Sequence, residues 1–432
     1  MPAALVSLSL AAACGSARDM TLLERVEDPA SAPTTQLGQP ASITSGPAVD
    51  DSFQSDDSAH VLTVDPMVAR RRLAEACSFG SAAAAGSIAR QPYLQNVSAG
   101  SAVVVFTTGV PGIAPTLRLA QPGNAAQRVL ASEPDPADAS GAQRLVRLDG
   151  LEPDNAYCYQ VEGSPAAGFR TPPLAGTGAG LRFVAFGDSG GPSAEAVADA
   201  MAAVPFDLML HTGDIAYQTG TLPDFEQEFF APFADLIATA PIFPASGNHD
   251  YVSDDAATFR QVFALPENGA PAGLERWYSF DWGDVHFVAL DTERVNADQI
   301  AWLERDLAQN TLPWTVAYLH RPPHSSGRHG GSPPVLDAFS PLFEAHGVQL
   351  VLSGHEHDYE RTRMLEGVTY VVTGGGGYSV RSVGMSDFTA LSASLFHFVH
   401  VEVHADELTL RAIDTAGEVF DEVTIARAPG GG

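Results

Sequence analysis

The chain has 432 residues, 45% of them apolar, which is enough for a large buried core and for two or three domains. Its 52 acidic residues face 23 basic ones, all arginine, for a formal charge of -29. A field of that sign excludes binding to nucleic acid or an anionic membrane surface through the whole-protein charge. An anionic substrate would need local positive charge from another source, and bound metal is the obvious one.

No run of residues is long enough to cross a membrane, which takes roughly 20 apolar residues. The first residues, "MPAALVSLSLAAACGSARD", resemble a bacterial lipoprotein signal, with small and apolar residues ending at Cys14. The resemblance implies export, with residues 1–26 as the signal segment and a lipidated Cys14 anchoring the chain to a membrane. Two features depart from that pattern: no basic residue precedes the run, and Ala11 stands three places before the cysteine. A plain secretory signal is the alternative. Cys77 and Cys158 then remain, and the sequence leaves a disulfide and two buried thiols both open.

Residues 27–88 read as a disordered linker. The part from Glu27 to Asp57 is rich in Pro, Ser, Thr and Asp and has too few apolar residues to order itself. Two features follow before the first domain, a short helical possibility at "MVARRRLAEAC" and a small-residue stretch, "GSAAAAGS".

A small all-β domain is expected over 89–175. "SAVVVFTTG" and "AYCYQVEG" are short runs rich in Val, Phe and Tyr, bounded by turn residues. In "GLEPDNAYCYQV", Leu151, Pro153 and Tyr157 are spaced as in a tyrosine corner, where a Tyr hydroxyl bonds back to upstream backbone. With "RQPYLQ" before and "FRTPP" after, the stretch is similar to a fibronectin-III sandwich.

Over 180–427 apolar runs alternate with helical segments, which predicts an α/β domain with mostly parallel strands. In "NADQIAWLERDLAQ", Asn296 and Gln299 make a capping-box-like start, with Ile300, Leu303 and Leu307 on one face. "FHFVHVEVH" and "ELTLRAID" look like antiparallel additions near the end.

Nearly every apolar run of this domain ends in a polar cluster: Asp188; Asp214 with Tyr217; Asn248 with His249; His320; His355 with His357. On an extended segment the two imidazoles of "GHEH" would alternate and point the same way. Ligands bind at the carboxyl ends of strands in open α/β sheets, so five such clusters predict one crevice. The set offers carboxylates, a phenol, an amide oxygen and imidazoles, donors that suit Fe, Mn or Zn.

The ordered motifs "GDSG", "GDIAY", "GNHD", "AYLH" and "GHEHDYER" resemble those of the purple acid phosphatases, within the calcineurin-like metallophosphoesterases. The resemblance covers about residues 90–427 and implies an αββα sandwich preceded by the fibronectin-like domain. It implies that Asp188, Asp214, Tyr217 and His357 hold Fe(III). Asp214 would bridge to a second divalent metal (Zn, Mn or Fe) held by Asn248, His320 and His355. The implied enzyme is a metal-dependent acid phosphatase that hydrolyses small phosphoesters by attack of metal-bound hydroxide, with an acidic optimum.

His249, beside Asn248, and one histidine of "HRPPHSSGRHGG" would contact the phosphate or protonate the leaving oxygen. Spacing from His320 and the Gly-rich loop favour His329 over His324 for the second role. "TGGGG" lacks the Lys-Ser/Thr ending of a phosphate-binding P-loop, so it is expected to let backbone pass close to the site. A phosphodiesterase or phytase-like activity on the same metals is one alternative. A surface binding protein with a vestigial metal site is another.

Overall fold

The computed structural model describes residues 76, 77, 79, 88–269 and 274–427. The signal-like segment with Cys14, the 27–57 tether and the "GSAAAAGS" stretch lie outside the described residues.

Eight strands between Ile88 and Arg170 form two four-stranded antiparallel sheets. One orders Ile88–Gln95, Ser101–Thr108, Gln143–Asp149 and Glu133–Pro134; the other orders Arg128–Ala131, Thr116–Ala120, Ala156–Val161 and Ala167–Arg170. The Tyr157 hydroxyl accepts the Glu152 backbone N–H at 2.7 Å, the tyrosine-corner bond. Cys77 is bonded to Cys158, and Phe79 is buried beside them. The structure thus answers the cysteine question, and it ties a point within 27–88 to the β region.

Residues 181–426 carry two mixed sheets. The six-stranded one orders Ile242–Pro244, Leu208–His211, Leu181–Phe186, His397–Val403, Glu407–Asp414 and Val419–Ala426. The seven-stranded one orders Tyr278–Trp282, Val285–Leu290, Trp314–Leu319, Leu350–Ser353, Thr369–Thr373, Tyr359–Thr362 and Thr389–Ala393. Strand alternation explains why these segments read as unbroken apolar runs. Phe287, Val316 and Leu352 join the large core that includes the six-stranded sheet, while Val288, Ala317 and Val351 join a second core with Trp302, Leu303, Phe339 and Phe343. The latter four come from the helices Ala297–Gln309 and Pro333–His346. Both strand faces are dry, so no polar alternation shows.

The strands are not mostly parallel. Three antiparallel pairings join the six-stranded sheet through residues 397–426, and three more lie at the two ends of the other sheet. One had a local signal: Gly283 and Asp284 alone separate Trp282 from Val285, a two-residue hairpin with Gly283 at φ +57°.

The helix at 297–309 starts as expected on one side only. The Asn296 side chain accepts the Gln299 N–H at 3.0 Å. The Gln299 amide instead pairs with the backbone of Asp291 at 2.8 and 2.9 Å, pinning the helix start to the end of a strand. Ile300 is only partly buried, and Trp302 takes its place among the buried residues with Leu303 and Leu307.

Candidate metal centre

All five sequence clusters follow carboxyl ends of strands, three from the six-stranded sheet and two from the seven-stranded one. The crevice therefore lies across the end of a two-sheet sandwich, where loops from both layers meet. Asp188, Asp214 and His355 sit at φ +57°, +54° and +69°, a left-handed conformation costing on the order of 1 kcal/mol or more each, less for Asp than for most residues. These turns aim the side chains back over the strand ends.

The Tyr217 hydroxyl lies 2.9 Å from Asp188 Oδ1, 3.1 Å from Asp214 Oδ2 and 3.2 Å from His357 Nε2. One phenol proton cannot serve three such acceptors, so the group has a surplus of lone pairs on one point. Burial and the two carboxylates raise the Tyr217 pKa well above its ordinary value. A cation there would reverse that balance by favouring phenolate.

On the other side of Asp214, His320 Nε2 stands 3.3 Å from Asp214 Oδ2 and 3.1 Å from Asn248 Oδ1. His320 Nδ1 donates to the Thr212 carbonyl at 2.9 Å, so Nε2 carries the lone pair whenever the ring is neutral, as it would be on a metal. Asp214, His320 and His355 each place a ligand atom within 4.8 Å of the others, a group able to hold a metal ion. Burial opposes charge on His320, but Asp214 outweighs it and pushes the imidazole to about 9. Burial and the neighbouring His320 and Arg321 cations depress His355. Burial raises Asp214, yet the imidazoles of His320 and His249 hold it well below the ordinary carboxylate range. Carboxylates, a phenol, an amide oxygen and imidazoles meeting here are donors of the kind that hold a metal ion.

The supporting residues were not legible as such. Asp250, the last residue of "GNHD", is buried and accepts backbone N–H groups from Asp214, Ile215 and Gly247 at 2.8–3.1 Å. It locks two ligand loops together, and its burial beside Asp214 raises its pKa to about 7. Glu228, in a π-helical turn at Glu226–Phe230, accepts the Tyr217 N–H at 2.6 Å. π-turns mark functional sites often enough to be a signal in a structure, but no residue pattern announces one. Two residues on from Glu228, Phe230 packs under the Arg90 guanidinium, which bonds Glu226 and so links the β region to this turn.

The Gly-rich stretch allows close approach: a Cβ on Gly374 would stand 2.7 Å from Asp188 Oδ2. Beyond it, Ser379 Oγ lies 2.6 Å from His357 Nδ1. Tyr359 and Arg361 of "DYER" both bond Asp421.

His249 Nδ1 donates to the Gln218 carbonyl at 2.7 Å, leaving Nε2 free of that bond. The ring packs on Tyr217, 4.3 Å between centroids. The His329 ring centroid lies 4.8 Å from that of His355, and His329 Nδ1 is 3.2 Å from Glu356 Oε1. His324 goes elsewhere, against Tyr370 and Phe388.

Residues 181–359 match the family model of the calcineurin-like phosphoesterases. The chain is 27% identical over 266 residues to purple acid phosphatase 18 of Arabidopsis thaliana, covering 55% of this chain and 59% of that protein. It is 29% identical over 258 residues to probable inactive purple acid phosphatase 1 of the same plant, covering 50% of this chain and 40% of that one. The chain thus spans about half the length of the first curated relatives it matches. A solved purple acid phosphatase from yellow lupin seeds has the same fold, with a TM-score of 0.71 at 21% identity over 79% of this chain and 75% of that one. Residues 181–359 therefore form a calcineurin-like phosphoesterase domain, and the chain is similar to purple acid phosphatases in sequence and in fold.

Proposed function

We propose that the chain is an exported metal-dependent phosphomonoesterase acting on small phosphoesters at acidic pH. Asp188, Asp214, Tyr217 and His357 would hold Fe(III), and Asp214, Asn248, His320 and His355 a second ion, Zn, Mn or Fe. The observation that carries this reading is the convergence of phenol, carboxylates, amide and imidazoles on the two sides of Asp214. Cations held there would acidify bound water and neutralise charge on a phosphate.

The chain's own residues supply the rest. Asp188 and Asp214 are almost wholly buried, so their charge acts in a site from which bulk water is excluded. His249, held by Gln218 through Nδ1, presents Nε2 to hydrogen-bond a phosphate oxygen or protonate the leaving oxygen. His329, held by Glu356, would do the same from the opposite loop. Residues 89–175 would form a fibronectin-III-like domain and 180–427 the catalytic one. A lipidated Cys14 would tether both to the cell envelope.

The test is the ratio of hydrolysis rates for an aryl phosphate monoester and its diester, on protein lacking the first sixty residues. Strong preference for the monoester is expected. Preference for the diester would move the reading to phosphodiesterase, with the 321–332 loop as the cause. Hydrolysis of neither would favour the alternative of a surface binding protein with a vestigial metal site.

A further inference from the structure

Two arginines stand beside His355, and they are in different states. Arg321 donates to His355 Nε2 at 3.1 Å, but its Nε and Nη2 grip the Glu293 carboxylate at 2.6 and 3.1 Å. Its charge is answered. Arg381 is placed by its backbone N–H, which donates to the His357 carbonyl at 2.8 Å. Its Nη1 donates to the His355 carbonyl at 3.3 Å and lies 3.4 Å from His329 Nδ1. Among the described residues it forms no ion pair, and its Nε and Nη2 have no hydrogen-bond partner. The nearby buried carboxylates Glu356 and Asp358 do not accept from it: both oxygens of Asp358 and Oε2 of Glu356 are unbonded, and Oε1 of Glu356 serves His329.

We infer that Arg381 recognises a second anionic group on the leaving side of the substrate, a carboxylate or further phosphate close to the ester oxygen. This rests on the phosphomonoesterase reading. The metal ligands and His249 account for the transferred phosphate, whereas Arg381 is attached to the His329 side, from which the leaving oxygen would be protonated. Two adjacent unspent N–H donors on a planar fork match the geometry of a carboxylate or phosphate. Arg381 is partly buried as a residue, while its Nη1 contact to His329 is open to solvent, so an incoming anion can reach the guanidinium. A protein of formal charge -29 otherwise repels a substrate carrying two anions, and a local cation is what would admit one.

The experiment uses the full chain, metal-loaded, with 3-carboxyphenyl phosphate and its neutral match 3-carbamoylphenyl phosphate. The expected result is a kcat/KM preference of about tenfold or more for the carboxylate, the size of one charge-assisted contact. Arg381→Met should bring that ratio to about one while leaving the carbamoyl ester within about twofold of wild type, and Arg381→Lys should keep part of it. Binding of the corresponding 3-carboxybenzyl and 3-carbamoylbenzyl phosphonates, read by calorimetry, needs no turnover. A carboxylate preference that depends on Arg381 in binding, without hydrolysis of either ester, would sustain the anion subsite and remove the phosphatase reading. Equal handling of both ligands by wild type, or an equal loss on both in Arg381→Met, would overturn the inference.

Discussion

The Tyr378 ring lies face to face on the Tyr217 ring, with centroids 3.7 Å apart and planes 5° from parallel. Tyr378 belongs to the loop after the Gly-rich strand end, and its hydroxyl accepts from Gln218 Nε2 at 2.8 Å. Tyr217 is thus held by Glu228 at its backbone and by Tyr378 across its ring face. If iron is bound to the phenolate, the stacked ring is part of that chromophore's environment. Tyr217→Phe should abolish any visible absorption band of the iron-loaded protein, and Tyr378→Leu should move its maximum without removing it. A band unchanged by Tyr217→Phe would overturn the ligand assignment.

Asp214 Oδ2 lies 3.1 Å from the Tyr217 hydroxyl and 3.3 Å from His320 Nε2, so its loss should be felt on both sides. Asp214→Asn keeps the shape but removes the negative charge and replaces one oxygen acceptor by an N–H donor. We expect hydrolysis of an aryl monoester to fall by more than about a hundredfold and metal content per chain to drop. Circular dichroism should stay that of the wild type. Full activity with an unchanged metal count would contradict the shared position of Asp214.

His286 makes a separate prediction about pH. Its Nδ1 lies 2.7 Å from Asp281 Oδ1 and its Nε2 2.9 Å from Asp306 Oδ2, so it ties a hairpin to the helix at 297–309. Burial disfavours the charged ring, yet the two carboxylates outweigh that and push its pKa up to about 9 from 6.5. A folded-state value above the unfolded one means the stabilisation is complete below pH 6.5 and is lost as pH rises through 9. Asp281 is 62% exposed, so screening reduces the effect to on the order of 1–2 kcal/mol. Urea midpoints at pH 6 and pH 10 should separate more for wild type than for His286→Asn. Identical separations would show that the triad contributes nothing.

Cys77 and Cys158 close a loop spanning 81 positions. A cross-link of that length stabilises by roughly 2–5 kcal/mol in small secreted domains. Reductant or Cys158→Ser should lower the first thermal transition by several degrees, and unreduced, denatured protein should expose no thiol from this pair. Two titratable thiols there would refute the bond.

Glu228 is the test of the long-range support. Glu228→Ala leaves the Tyr217 N–H buried without its acceptor, at a cost of roughly 1–3 kcal/mol. The variant should load metal more weakly and show a shifted visible band, and Glu228→Gln should restore most of both. Loss of stability with an unmoved band would make the residue a purely structural one.

The candidate donor types and their order along the chain were legible in the sequence, because each motif is local. Asp188, Asp214, Asn248, His320 and His355 follow strands whose apolar runs are visible as runs. The tyrosine corner was legible for the same reason, since Glu152 and Tyr157 are neighbours in the chain. What the sequence could not express was pairing between distant segments. The split of the strands into two mixed sheets depends on long-range hydrogen bonds, and strands buried on both faces carry no alternation to betray their partners. Asp250, Glu228 and Arg381 were invisible for a related reason: a buried carboxylate on three backbone N–H groups, a cap from a π-turn and an unspent guanidinium are defined by their neighbours in space. Local chemistry chose the atoms of the centre, and only tertiary packing decided what holds them, because strain at Asp188, Asp214 and His355 persists only where surrounding contacts over-determine it.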